Sequence, residues 1–118
     1  MTEQLRKQSS QSIKEQKAEH EAEMCVLTLI YHEEYEPAVQ GIIQRSMIVA
    51  RYTKIQDVQG ARADMLSGDD YKSTGKNQML LILAERAVIN TIGDELRQLR
   101  FQQGHGLRGY ITPVEEVI

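Results

Sequence analysis

Gln78-Met79-Leu80-Leu81-Ile82-Leu83-Ala84 sets five large aliphatic or thioether side chains in a row with no polar break. The run is too short for a buried helix, and bounded by Gly75 on one side and Glu85-Arg86 on the other it reads as a strand covered on both faces. Beyond it, Val88, Ile89, Ile92, Leu96 and Leu99 recur at helical spacing, with Arg97 and Arg100 near the negative end of the helix dipole. Gly104 stops that helix. Gly104-His105-Gly106-Leu107-Arg108-Gly109-Tyr110-Ile111-Thr112-Pro113 then gives a glycine-rich turn and a short last strand.

Upstream, the same grammar appears once more. Met24 to Tyr31 is a nearly continuous apolar run, closed by His32-Glu33-Glu34, whose acidic residues suit a following helix N-terminus. Tyr35, Ala38, Val39, Ile42 and Ile43 form the stripe of that helix, Pro37 sits early enough to be tolerated, and Ser46 closes it. Met47 to Val58 is β-branched and aromatic enough for a strand. Gln59 to Lys76 then holds three acidic residues, three basic residues and few aliphatic ones. A connection longer than about 12 to 15 residues is uncommon in a compact domain and is usually functional.

The predicted fold class is therefore α+β: a ferredoxin-like β-α-β-β-α-β sandwich with a long loop between its second and third strands. Both helices cover one sheet face, yet the first and third strands are apolar on both. A homo-oligomer would cover the second face.

Residues 1–23 are mostly Gln, Ser, Lys and Glu, with Leu5 and Ile13 the only large aliphatic side chains after Met1. They read as a polar N-terminal extension, disordered or helical, in which Ser12-Ile13-Lys14-Glu15 resembles a capping box. Residues 24–118 form the single domain. A net charge of −3 and the lack of a basic block argue against a nucleic-acid partner, as does the scarcity of stacking aromatics: no Trp and one Phe. One cysteine, Cys25, leaves no internal disulfide and sits in an apolar strand as a core residue; with no leader-like opening, the expected compartment is the cytoplasm.

The chemistry concentrates at the glycine turn. Glycines allow positive φ and close approach, bare amides can face an anion, and Arg108 adds a fixed charge with a fork of donors. His105, held between the glycines, could donate to a phosphate or carboxylate. His20 and His32 show no paired metal spacing, so no metal set is expected. No nucleophile and base pair is evident, so no enzyme is expected.

The order β-α-β, long loop, β-α-β, with Thr53-Lys54-Ile55 and Gly60 at the root of the loop and Gly104-His105-Gly106 followed by Arg108, Tyr110, Ile111 and Pro113-Val114-Glu115, resembles the PII signalling family and more closely its PII-like members. The resemblance covers Met24 to Ile118. It implies a cytoplasmic homotrimer that binds an adenine nucleotide (AMP, ADP, ATP or a cyclic nucleotide), or bicarbonate, in clefts between subunits. The ligand-binding residues so implied are Thr53, Lys54, Gly60, Gly104, His105, Gly106 and Arg108. The long loop corresponds to the family's T-loop, so Arg62, Asp64, Asp69, Asp70, Tyr71 and Lys72 are the implied partner-binding residues, with a membrane transporter as regulated target.

Three departures go with the resemblance. His105 stands between the two glycines where PII proteins usually carry an acidic residue or tyrosine. Leu107 delays the basic Arg108 by one position. Asp69-Asp70-Tyr71-Lys72 does not reproduce the motif around the modified tyrosine, so no uridylylation is expected. The competing readings are a trimeric divalent-metal-binding protein of the CutA kind, and a small ferredoxin-fold enzyme.

Overall fold

The computed structural model describes residues 3–46, 50–59 and 76–118, with side chains described from residue 12 onward. The element order is α1 (Glu3–Ala22), β1 (Met24–His32), a 3-10 turn (Glu33–Tyr35), α2 (Glu36–Gln44), β2 (Arg51–Val58), β3 (Asn77–Glu85), α3 (Arg86–Gln103) and β4 (Leu107–Pro113). The four strands form one antiparallel sheet in the order β2-β3-β1-β4, the ferredoxin-like arrangement, with the long connection joining edge strand β2 to central strand β3.

Alternation along the central strands decides where the core lies. Cys25, Leu27, Leu29 and Tyr31 of β1 and Leu80, Ile82 and Ala84 of β3 are buried together with Val39, Ile42 and Ile43 of α2 and Ile89, Ile92 and Leu96 of α3. These are the side chains of one sheet face and of two helix stripes, so both helices of the sandwich lie on that face. The opposite face holds Val26, Thr28 and Ile30 against Met79, Leu81 and Leu83, all half-buried, and is rimmed by Thr53 and the 45% exposed Ile55 on β2 and by Arg108 and the 52% exposed Tyr110 on β4. The expected burial of β3 on both faces is thus met on one face within the chain. Its other face is an apolar surface that no helix among the described residues covers.

Several local boundaries differ from the sequence reading. Tyr35 belongs to the 3-10 turn, and Pro37 lies in the first turn of α2, where a missing N–H costs nothing. Strand β2 begins at Arg51, since the Ala50 amide still donates back to the Ser46 carbonyl at 3.0 Å; residues 47–49 of the expected strand lie outside the described residues. Ser12 to Glu15 falls inside α1 and caps nothing.

Helix α1 is solvent-exposed from Ser12 to His20, with Ile13 65% exposed, and the chain meets the domain just beyond its end, at Glu23. There the Arg86 amide donates to the Glu23 carbonyl at 2.8 Å, and the Arg86 guanidinium reaches the Glu23 carboxylate at 3.2 and 3.3 Å. The pair joins the start of β1 to the start of α3. No helix among the described residues is long and apolar enough to cross a membrane.

Candidate functional site

Helix α3 ends because Gly104 adopts the left-handed conformation at φ 85°, its amide closing on the Arg100 carbonyl at 2.7 Å. Gly106 repeats the excursion at φ 79°. Between the two, His105 is exposed, with Nδ1 3.3 Å from the Gln103 carbonyl. The chain is pinned on its inner side: the His32 amide donates to the Gly106 carbonyl at 2.9 Å, and the Tyr35 hydroxyl donates to the His105 carbonyl at 2.9 Å. Among the described residues, the N–H groups of His105 and Gly106 donate to no backbone acceptor. Two bare amides in successive positions of a left-handed turn make a concavity that favours an anion.

Tyr35 sets the shape of this turn. Its side chain is 7% exposed, and a Cβ at Gly106 would stand 2.8 Å from the Tyr35 ring. Only glycine fits there. The 3-10 turn that carries Tyr35 is itself capped, the His32 imidazole Nδ1 accepting the Glu34 amide at 3.2 Å.

The next residue, Glu36, organises a second polar cluster. Its carboxylate accepts hydrogen bonds from the Tyr31 hydroxyl, from the Lys54 ammonium and, at 3.1 Å, from the Gln40 amide. Burial alone would raise the Glu36 carboxyl, but the bonds from Lys54, Tyr31 and Gln40 outweigh it and hold the group below its ordinary value. Tyr31 shifts the other way. Burial, then the hydrogen bond to Glu36 and its negative charge, push the phenol well above its usual range. Opposite Tyr31 across the sheet lies Gln78, 9% exposed, whose amide oxygen has no partner among the described residues.

Register places the remaining site residues. Thr53 pairs with Leu81 on the open face, whereas Lys54 pairs with Leu80 and points to the helix side, where Glu36 engages it. Arg108 pairs with Ile30 and is exposed on the open face at edge strand β4. Thr53 and Arg108 lie on opposite edges, three strand spacings or roughly 14 Å apart, beyond the reach of one small ligand in one chain. Gly104, His105 and Gly106 are brought together with Arg108; Thr53 and Lys54 are not. Gly60, Arg62, Asp64, Asp69, Asp70, Tyr71 and Lys72 lie outside the described residues.

The turn shares one end of the sheet with both ends of the long connection. Val58 pairs with Asn77, Asn77 with His32, and the Glu33 amide donates to the Lys76 carbonyl at 2.9 Å. A bulge between Ile55 and Val58, with Asp57 at φ 59°, bends β2 just before that connection. Sequence reading missed Tyr35, Tyr31 and Glu36 as site-shaping residues, because their contacts are made by the fold. The one available signal was a tyrosine and a glutamate five apart across a strand-to-helix junction. Among the described residues, no three His, Cys, Asp or Glu side chains converge to hold a metal ion.

No protein-family model and no curated protein matches the sequence. Solved structures do. CPII from Thiomonas intermedia K12, bound to ADP, AMP and acetate, superposes with a TM-score of 0.59 at 13% identity, covering 77% of this chain and 85% of its own. A protein from Thermus thermophilus described as a putative PII-like signaling protein gives 0.57 at 18% identity, over 77% and 86%. A DUF3240 family protein from Shewanella baltica OS155 gives 0.50 at 11%, over 80% and 92%. The likeness is one of fold: this chain shares its α+β, ferredoxin-like fold with these PII-like structures.

Proposed function

We propose that the protein is a non-enzymatic PII-like regulator that binds an adenine nucleotide, with bicarbonate as a second candidate ligand, at the turn Gly104 to Arg108. The observation that carries this reading is the pair of amides at His105 and Gly106 that, among the described residues, donate to no backbone acceptor, in a turn pinned by Tyr35 and His32, with the Arg108 guanidinium two residues on. Bare amides supply anion selectivity and the guanidinium supplies charge. CPII, similar in fold, has been solved with ADP, AMP and bicarbonate. Arg108→Ala is expected to leave the fold intact and to weaken binding of AMP or ADP more than tenfold, since a charge-assisted contact contributes about 1.5 to 3 kcal/mol. Isothermal calorimetry reads this directly, with AMP, ADP, ATP, cyclic di-AMP and bicarbonate as titrants. Equal affinity in the variant would remove Arg108 from the site.

The site reading extends to assembly. An edge-to-edge separation of about 14 Å between Thr53 and Arg108 becomes an inter-subunit cleft if the β2 edge of one copy meets the β4 edge of another. The uncovered face, with Val26, Ile30, Met79, Leu81 and Leu83, is the surface a homotrimer would bury. The segment from Gln59 to Lys76 is then the output element, acting on a membrane transporter in the cytoplasm. Both parts are tested on one variant. Deletion of residues 63–74 is expected to sediment as a trimer, like the full chain, and to lose retention of a transporter from membrane extract. A monomer at micromolar concentration in the full chain would overturn the assembly, and undiminished retention would move the output surface elsewhere.

A further inference from the structure

We propose that Tyr35 is the positioning residue of the anion site, a role that rests on the function proposed above. Its phenol acts on the turn in two separate ways. The hydroxyl fixes the His105 carbonyl at 2.9 Å, which sets the peptide plane between His105 and Gly106 and so the direction of the Gly106 N–H. The ring lies where a side chain at Gly106 would be, 2.8 Å from a built Cβ, and so holds the φ 79° backbone against a rigid wall. Tyr35 can do both because it is 7% exposed and set at the end of a capped 3-10 turn, directly before the α2 glutamate that binds Tyr31 and Lys54.

An anion held by two amides needs both donors aimed before it arrives; otherwise ordering the turn is subtracted from the binding free energy. A bound phosphate or carboxylate would not touch Tyr35, which lies on the inner side of the turn with its hydroxyl on the carbonyl, away from the bare N–H groups. Removing the hydroxyl alone therefore loosens the donors and leaves the core in place.

The test is Tyr35→Phe in the full chain, read two ways. In the ligand-free protein, hydrogen exchange at the two bonded amides that hold the turn, His32 on the Gly106 carbonyl and Gly104 on the Arg100 carbonyl, should quicken about three- to tenfold, the range expected for one lost neutral hydrogen bond, while amides of Leu29, Leu80 and Ile82 keep their rates. Calorimetry with ADP should show affinity falling by a similar factor, with Tyr35→Leu, which also removes the wall, falling further. Unchanged exchange at the turn in Tyr35→Phe would overturn the positioning role whatever the ligand. Quickened exchange with no ADP binding even in the unsubstituted protein would leave the positioning of the amides standing and sink the nucleotide reading instead. Quickened exchange with unchanged ADP affinity would show that the turn does not hold the ligand through these amides and would also overturn the proposal.

Discussion

Gly106→Ala is expected to lower stability by about 2 to 4 kcal/mol, combining the cost of a left-handed alanine with that of overpacking. The positive φ of 79° disfavours any Cβ, and the added methyl would meet the Tyr35 ring at 2.8 Å. Tyr35 cannot give way cheaply, because it is buried and its hydroxyl is committed to the His105 carbonyl. Chemical denaturation of the two proteins measures the difference. Gly104→Ala provides the control: its φ is 85°, but nothing stands within 4 Å of the added atom, so only the backbone cost, about 1 to 2 kcal/mol, should appear. Equal losses at the two positions would mean that the ring does not wall the turn.

The second large effect is at Glu36. Truncation to alanine leaves the Tyr31 hydroxyl without its acceptor and the Lys54 ammonium, 25% exposed, without its counter-ion, and should cost about 2 to 3 kcal/mol. The pH dependence has two arms. Glu36 is held below its ordinary value, so its stabilising contribution is present above the unfolded carboxyl pKa of about 4.3 and is lost as pH falls through the lower folded value. Tyr31 is raised, so its contribution is present below the unfolded phenol pKa of about 10 and is lost as pH rises past it toward the folded value. Melts across pH 3 to 11 should show both losses in the parent protein. Glu36→Gln should flatten the acid arm and Tyr31→Phe the alkaline one. An acid arm unaltered by Glu36→Gln would assign it to other carboxylates.

These two sites also mark how far the sequence was legible. The nearly continuous apolar runs at Met24–Tyr31 and Gln78–Ala84 and the stripes at Val39, Ile42, Ile43 and Ile89, Ile92, Leu96 specify the sandwich, because burial writes itself into hydrophobic spacing. Gly104 as the helix stop was legible for a related reason, since a left-handed cap strongly favours glycine. The aliphatic density of β1 and β3 indicated two covered faces, whereas the described residues cover one, and strand composition alone does not say what covers the other.

The Tyr31–Glu36–Lys54 cluster was not legible. A tyrosine ending a strand, a glutamate opening a helix and a lysine within β2 each has an ordinary solitary explanation, and only the α2 crossover brings them together. Thr53 and Lys54 show the limit from the other side. Adjacent in sequence, they point to opposite faces of β2, so a motif read as one unit is divided by the pleat.

The most direct measurement for the proposed function is an amide NMR titration of the full chain with ADP, in the presence and absence of bicarbonate. Saturable shifts are expected, led by the His105 and Gly106 amides and by Arg108, with smaller changes at His32 and Tyr35. A spectrum unmoved at millimolar ADP and bicarbonate, or shifts confined to residues remote from Gly104 to Arg108, would contradict the proposed function.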